Sequence, residues 1–286
     1  MILVTGATGT IGRALVERLD RRDVAFRAAS RNREHEHEHA ATNLVAMDFA
    51  EPASIAAAMR DVDVVFLNSS QHPDMVELQG NVVDAARRAG VRHIVKVSGG
   101  NAFTGPDKPT WVGRAHAQVE AGIVESGMGW TFLRPRYFTQ NLLVLAARIS
   151  GGTLPVPLTH QRLAPVDTRD IAEAVAVILT SPSKHDGRVY DLSGPESLTF
   201  DEIADRLSGV LGRKVTHVAP PLEAVVAGLA DAGVPEWLRR NLAEGMTIFA
   251  NDPSVAGVSA DIERITGRPA APVDRFIVDH KAAFEQ

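Results

Sequence analysis

The chain has 286 residues and a formal net charge of −5 at pH 7, and 45% of its residues are hydrophobic. It is long enough to bury a substantial core, its composition is that of an ordinary globular protein, and its charge gives no support for a nucleic-acid partner. It contains no cysteine, which excludes disulfides and thiolate chemistry, and no apolar stretch of membrane-spanning length or signal-peptide layout, so we expect a cytoplasmic protein without a membrane partner.

The first twelve residues combine a short apolar strand, Ile2 to Val4, with a turn that contains three glycines. A helical pattern follows at once, from Arg13 to Leu19. Glycines let the backbone approach a phosphate, and the amides and the positive dipole end of the helix then face it. The alternative is a glycine turn without a ligand. The position of this turn between a strand and a helix favours a dinucleotide site. The residues expected to contact the cofactor here are Gly6, Thr8, Gly9, Thr10, Ile11 and Gly12.

Strand-like and helix-like segments then alternate. The predicted strands are Val24 to Ser30, Asn43 to Met47, Val62 to Leu67, His93 to Val97 and Trp130 to Leu133. The predicted helices between them are Pro52 to Arg60, Asp74 to Ala89 and Thr110 to Ser126. This alternation predicts an α/β fold, a Rossmann-type doubly wound parallel sheet with a ligand crevice at the carboxyl ends of its strands.

The alternation loosens after Pro135. We expect a loop around Gly151 to Pro157, a helix from Thr168 to Leu179 and one more strand from Arg188 to Leu192. The remainder is mainly helical, with predicted helices at Phe200 to Leu211, Leu222 to Ala232, Glu236 to Phe249 and Val258 to Thr266. The pattern suggests a dinucleotide-binding domain over residues 1–150, to which 163–195 return, and a smaller lobe over 196–286 that caps the crevice.

The end of the second predicted strand bears on the choice of cofactor. Enzymes that use NAD usually place an acidic residue there to bind the adenosine 2′-hydroxyl. This chain has Ser30, Arg31, Asn32 and Arg33 instead, and guanidinium groups bind a 2′-phosphate, so NADP(H) is favoured unless the arginines are merely surface residues. Asp48 and Phe49 follow the third strand, where they are expected to contact the adenine. The residues after the fourth strand are expected to lie near the nicotinamide ribose: Asn68, Ser69 and Ser70.

A run of alternating glutamate and histidine, Glu34 to His39, follows these arginines. An extended strand would place its three histidines on one side, as a metal site requires. No fourth ligand is suggested nearby, and a solvated loop explains the run equally well. We therefore predict no metal site.

Several motifs together resemble a known family. They are Thr5 to Gly12, Ser30 to Asn32, Ala85 to Val91, Trp130 to Pro135, Leu192 to Glu196 and Ile265 to Pro269. They resemble the atypical short-chain dehydrogenases/reductases and, within these, the NmrA-like proteins, which include quinone and triphenylmethane-dye reductases as well as redox-sensing regulators. The resemblance extends nearly from end to end. It implies the fold and the cofactor without specifying the substrate.

The chain departs from the wider superfamily in its catalytic helix. Ordinary members carry Tyr-x-x-x-Lys after the fifth strand, and an ungapped comparison places Val112 at the tyrosine position and His116 at the lysine position. Ser98 matches the superfamily serine. The resemblance therefore implies a reductase without the usual tyrosine. Reduction of a conjugated acceptor leaves a weakly basic atom and needs no strong donor, so such acceptors are favoured.

Three residues are candidates for catalysis. His116 is either a proton donor or orienter, since imidazole titrates near neutral pH, or a residue that only packs or binds the ribose. Ser98 either polarises a substrate oxygen or caps the next turn. Tyr137 is either an acid or part of the substrate wall. Three aromatic residues either form walls for a flat substrate or belong to the ordinary core: Phe103, Trp111 and Phe138.

Two functions fit these residues. The first is an NADPH-dependent reductase of small conjugated acceptors such as quinones, enones or dyes. The second is a non-catalytic NADP(H)-binding sensor that responds to the redox state of the cofactor. A sugar-nucleotide epimerase shares the fold but should need the missing tyrosine. A homodimer is compatible with the sequence.

Overall fold

The structure is a computed structural model that describes residues 1–31 and 43–285. Within them the chain forms nine strands: β1 (Ile2–Val4), β2 (Phe26–Ser30), β3 (Leu44–Ala46), β4 (Val64–Leu67), β5 (His93–Val97), β6 (Gly129–Pro135), β7 (Thr153–Pro155), β8 (Arg188–Leu192) and β9 (Thr216–Val218). The α-helices in the same residues are α1 (Thr10–Arg21), α2 (Pro52–Ala58), α3 (Met75–Arg88), α4 (Trp111–Glu125), α5 (Asn141–Val144), α6 (Ala146–Ser150), α7 (Thr168–Thr180), α8 (Phe200–Leu211), α9 (Leu222–Asp231), α10 (Glu236–Asn251), α11 (Asp261–Thr266) and α12 (Val273–Asp279).

Seven strands form one parallel sheet, in the order β3-β2-β1-β4-β5-β6-β8. The chain runs outward from β1 through β2 to β3 and then returns to β4 on the other side of β1. Such a reversal opens a crevice at the carboxyl ends of the strands, where ligands of open α/β sheets bind. The predicted Rossmann-type fold is confirmed.

The core lies on both faces of the sheet, as the short apolar strands require. Alternate residues of a strand point to opposite faces. Val4 and Phe66 therefore pack on the side of α1 and α7, whereas Leu3 and Val65 pack on the side of α2 and α3. Helices therefore cover both faces of the sheet.

The predicted loop around Gly151 to Pro157 is wrong. Residues Thr153–Pro155 form β7, which pairs in parallel with β9 in a separate two-stranded sheet. Each strand has only three residues and the partner lies some sixty residues along the chain, so no local pattern marks the pair. Pro155 sits at the end of its strand, where a missing amide is tolerated.

The C-terminal part is mainly helical, as predicted. α8 begins at a capping box formed by Thr199 and Glu202 and ends at Gly212, whose φ of +68° suits glycine. The last predicted helix starts only at Asp261 rather than Val258, and α5, α6 and α12 were not predicted. None of the described helices combines the length and apolar composition that a membrane crossing requires.

Candidate active site

The glycine turn lies between β1 and α1. Gly6 has a φ of +62°, and a Cβ atom there would lie 2.7 Å from the carbonyl oxygen of Asn68, so the turn packs directly on the loop after β4. Thr5 ties the two segments together, since its hydroxyl contacts the carbonyl oxygen of Asn68 at 2.9 Å. Gly9 precedes α1 with no side-chain cap, which leaves the first amides of the helix free to bind an anion.

A cavity of about 630 Å³ opens above this turn. Its walls combine the turn, the ends of β2, β3 and β4, the start of α3 and one residue after β6: Thr5, Gly6, Thr8, Gly9, Thr10, Ile11, Ala29, Ser30, Arg31, Met47, Asp48, Phe49, Asn68, Ser69, Ser70, Gln71, His72, Met75, Leu78 and Phe138. The structure thus brings together most of the predicted cofactor residues. Gly12 is not among them, because it packs beneath the turn, against the carbonyl oxygen of Gly6.

The described end of β2 supplies one cationic side chain to this cavity, Arg31, which is exposed at its rim. Asn32, Arg33 and the run from Glu34 to His39 lie outside the described residues. Asp48 also lines the cavity, and its Oδ1 accepts a hydrogen bond from the amide of Ala50 at 2.9 Å. The narrow glycine turn, the uncapped helix and the guanidinium fit a phosphorylated dinucleotide. Elsewhere in the described chain, no three histidine, aspartate or glutamate side chains are grouped so as to hold a metal ion.

The predicted catalytic residues do not line this cavity. Ser98 follows β5, and its buried Oγ has no hydrogen-bond partner among the described residues. His116 projects from α4 into the interior, with only 9% of its surface exposed. Their roles stay predictions.

The His116 side chain contacts Lys96, a residue that was not predicted to belong to the site. Lys96, on β5, is wholly buried, and its Nζ lies 3.0 Å from Nδ1 of His116. Nζ also donates to the carbonyl oxygen of Val97 at 3.0 Å. The available signal was a lysine inside an otherwise apolar parallel strand, where a charged side chain must find partners.

Burial dominates the electrostatics of this pair. It lowers the pKa of Lys96 to about 7, although the carboxylate of Glu120 acts in the opposite direction. Burial also places the pKa of His116 well below its usual value, and the charges of Lys96 and Arg134 lower it further. His116 is therefore a neutral imidazole at neutral pH.

An ion pair lies beside them. Arg134 of β6 contacts both carboxylate oxygens of Glu120 on α4, at 3.2 Å from Nε and 2.5 Å from Nη2. The same guanidinium donates to Asn101 Oδ1 at 3.1 Å, which links the pair to the loop after β5. Because Arg134 contacts both oxygens, the negative charge of this buried carboxylate is compensated by a guanidinium.

Tyr137 packs into the C-terminal core. Its ring makes edge-to-face contacts with Phe200 and Phe249, at centroid distances of 5.8 Å and 5.6 Å. Burial raises the pKa of Tyr137 to about 12, against the opposing effect of a hydrogen bond with Asn141. Such a hydroxyl stays protonated and is a weak acid.

Helix α10 covers the other aromatic candidates. Phe103 meets Phe249 of α10 edge-to-face at 5.1 Å, and Trp111 meets Trp237 at 6.4 Å. The helix is also held by hydrogen bonds. The amide of Trp111 donates to Glu244 Oε2 at 3.0 Å, and Asn241 donates to Gln71 Oε1 at 2.6 Å, next to the cavity. Aromatic faces and α10 thus enclose the region beyond β4 and β5, whereas Phe138 reaches the cavity itself.

Comparisons with known proteins agree with this geometry. The model of the NmrA-like family matches residues 1–271. The chain is 37% identical to the NAD(P)H azoreductase of Xenophilus azovorans, over 99% of each chain. It is 35% identical, also over 99% of each chain, to the (4-alkanoyl-5-oxo-2,5-dihydrofuran-3-yl)methyl phosphate reductase of Streptomyces griseus subsp. griseus. The NADPH complex of the NADPH-dependent quinone oxidoreductase of Escherichia coli superposes with a TM-score of 0.86, at 27% identity over 99% of this chain and 100% of that one.

Proposed function

The chain belongs to the NmrA-like family and is an NAD(P)H-dependent oxidoreductase, and on that premise we propose that it uses NADPH to reduce small conjugated acceptors such as azo dyes, quinones and enones. The observation that carries the proposal is the meeting of Gly6, Gly9 and Arg31 around one cavity at the carboxyl edge of the sheet. It provides a pyrophosphate site and a cation for a further phosphate in the same space.

The preference for NADPH rests on Arg31. A guanidinium binds a phosphate through paired hydrogen bonds, whereas the carboxylate common in NAD enzymes would repel it. Asp48 is the one carboxylate among the described residues that line the cavity. It follows β3 rather than β2, and its Oδ1 accepts a hydrogen bond from the amide of Ala50. The relative crystallised with NADPH supports the same preference.

The chain's own part in the reaction is to bind, orient and exclude water. When bound, NADPH supplies a hydride from its nicotinamide ring to the acceptor. The glycine turn and the first amides of α1 hold the pyrophosphate, and the loop after β4 holds the adjoining ribose. Helix α10 and the aromatic pairs that it forms with Phe103 and Trp111 keep this region apolar.

Two observations support conjugated acceptors: among its described residues the site has no tyrosine acid, and the relatives of this chain are named for such acceptors. The helix after β5 carries Val112 where a superfamily tyrosine would donate a proton, and Tyr137 is a weak acid in the core. A plain ketone leaves a strongly basic oxygen after reduction, but a conjugated acceptor spreads the charge. The relatives named for azo, dihydrofuranone and quinone chemistry all act on conjugated compounds.

The test is a rate measurement with a set of acceptors. Purified protein is mixed with NADPH and, separately, an azo dye, a quinone, an unsaturated lactone and a saturated ketone, and the loss of the reduced nicotinamide absorbance is followed. We expect turnover of one or more conjugated acceptors and none of the ketone. Tight NADPH binding with no turnover of any conjugated acceptor would contradict the proposal and favour a redox sensor.

A further inference from the structure

Lys96 places an ammonium group inside the protein, immediately before the carboxyl edge of β5. Lys96 and Ser98 are two residues apart, so the alternation of an extended segment directs both side chains to the same face of the sheet as α4. An isolated charge there would be costly, and burial without a role usually selects an apolar residue. The lysine is therefore a candidate functional group.

The contact between Lys96 and His116 defines which imidazole nitrogen carries the proton. While Lys96 is an ammonium group it can only donate, so in that state Nδ1 of His116 accepts and the ring proton lies on Nε2. No described residue forms a hydrogen bond with Nε2. The adjoining ring atom, Cδ2, lies 3.3 Å from the position that a Cβ atom on Gly99 would take, so this edge of the ring faces the loop after β5.

The surrounding charges favour this arrangement. The charged groups that face the pair are Glu120 of α4 and Arg134 of β6. Arg134 binds both carboxylate oxygens of Glu120, and neither Lys96 nor His116 forms an ion pair with that carboxylate. The ammonium group of Lys96 therefore lies against Nδ1 of a neutral imidazole, with no carboxylate between them.

We propose that Lys96 is a positioning residue and the proton source for the reduction: its ammonium group holds His116 in the Nε2–H form and passes a proton to Nδ1 as Nε2–H is donated to the reduced acceptor. The inference rests on the proposed function, because it requires an acceptor to be reduced. In this proposal His116 is the proton donor, through the ring edge that faces the loop after β5, and Lys96 acts through it.

The step balances. The acceptor gains a hydride from NADPH and a proton from Nε2, so its new bonds use the transferred electron pair and leave no net charge. The N–H bond at Nε2 breaks as one forms at Nδ1, and Lys96 becomes a neutral amine. After the product leaves, water returns a proton to Nε2, and the proton on Nδ1 goes back to Lys96.

This relay predicts a pH profile. With a pKa of about 7, Lys96 is an ammonium group below neutral pH and an amine above it. Turnover should therefore fall by about tenfold per pH unit on the alkaline side. A neutral histidine alone would give no such limb, because its own pKa lies well below the usual value.

The experiment compares the wild-type protein with Lys96→Met, which keeps the length of the side chain and removes the charge. We expect Lys96→Met to lower kcat at mildly acidic pH by at least about tenfold and to abolish the alkaline limb, with the NADPH dissociation constant within about twofold of wild type. The control is His93→Gln, a buried histidine at the start of the same strand that contacts Thr131. It should keep the profile.

A second readout is independent of turnover. In ¹⁵N spectra of histidine-labelled protein, Nδ1 of His116 should lack a proton in the wild type and should respond to a titration near neutral pH that Lys96→Met removes. A wild-type pH profile in Lys96→Met, or an Nδ1 resonance that this substitution leaves unchanged, would overturn the inference. Absence of turnover with every acceptor would instead contradict the proposed function, and the spectra would still decide the pair.

Discussion

Gly12, on the first turn of α1, lies directly against the carbonyl oxygen of Gly6: a Cβ atom on Gly12 would be 2.1 Å from it. The obstacle is backbone, which cannot rotate away as a side chain would. The turn that forms the floor of the cavity therefore depends on a glycine that does not itself line the cavity. Helix and turn can approach this closely only without a side chain between them.

The first prediction follows from this contact. Gly12→Ala should displace the turn, weaken NADPH binding by at least about tenfold and lower the free energy of unfolding by about 1–3 kcal/mol. The matched control is Gly80→Ala in α3, where a Cβ atom would meet nothing within 4 Å. That change should raise stability by about 1 kcal/mol, since alanine is the better helix former. Urea unfolding and a fluorescence titration with NADPH measure both effects. Equal results for the two variants would contradict the role of the contact.

The glycine turn was predictable because its information is local. Strand, turn and helix occupy the first twenty-one residues, and the spacing of glycines among them is enough to indicate a phosphate site. The same holds for the alternation of strands and helices through β6, where the period of the apolar residues changes from one element to the next. Most of the cofactor cavity is assembled from the ends of these strands.

The rest depends on contacts between distant residues. Lys96 and His116 are twenty residues apart, and only the packing of α4 on β5 brings their nitrogens together. β7 and β9 meet across more than sixty residues, and each is too short to show a period. The covering of Phe103 and Trp111 by α10 likewise requires the tertiary fold. His116 is therefore recognisable from the sequence, whereas the lysine against its Nδ1 is not.

The second prediction concerns cofactor choice. Arg31→Glu should weaken NADPH binding by about tenfold or more and change NADH binding far less, because a carboxylate repels the 2′-phosphate and can accept from a 2′-hydroxyl. The control is Arg88→Glu, an exposed arginine at the last residue of α3, which changes the net charge by the same amount. Dissociation constants for both dinucleotides measure the effect. An equal loss for NADPH and NADH would remove the basis for preferring NADPH.

The third prediction tests Tyr137. A general acid works best with a pKa near the operating pH, and burial raises that of Tyr137 to about 12. Tyr137→Phe should therefore keep kcat within about threefold and cost about 1 kcal/mol of stability, the value of one hydrogen bond. Tyr190→Phe is the control. Tyr190 lies on β8, the last strand of the sheet, and its hydroxyl contacts Nδ1 of His185 at 2.8 Å. A much larger loss of turnover in Tyr137→Phe than in Tyr190→Phe would identify Tyr137 as the proton donor.

The fourth prediction uses the charge of Glu120. This carboxylate raises the pKa of Lys96, so Glu120→Gln should lower it and move the alkaline limb of the pH profile to lower pH. The sign follows because removal of a nearby negative charge makes the ammonium form less favourable, so Lys96 loses its proton earlier as pH rises.

The same change leaves the guanidinium of Arg134 without its charged partner, which should cost about 3–5 kcal/mol of stability. Glu125→Gln, at the exposed end of the same helix, is the control and should alter neither property. The measurements are kcat against pH and urea unfolding. If stability falls but the alkaline limb of kcat against pH stays in place, Glu120 only holds Arg134, and a group other than Lys96 determines the pH profile. A limb that moved to higher pH would contradict the role of Lys96 as the titrating cation, because removal of a nearby negative charge can only make its ammonium form less favourable.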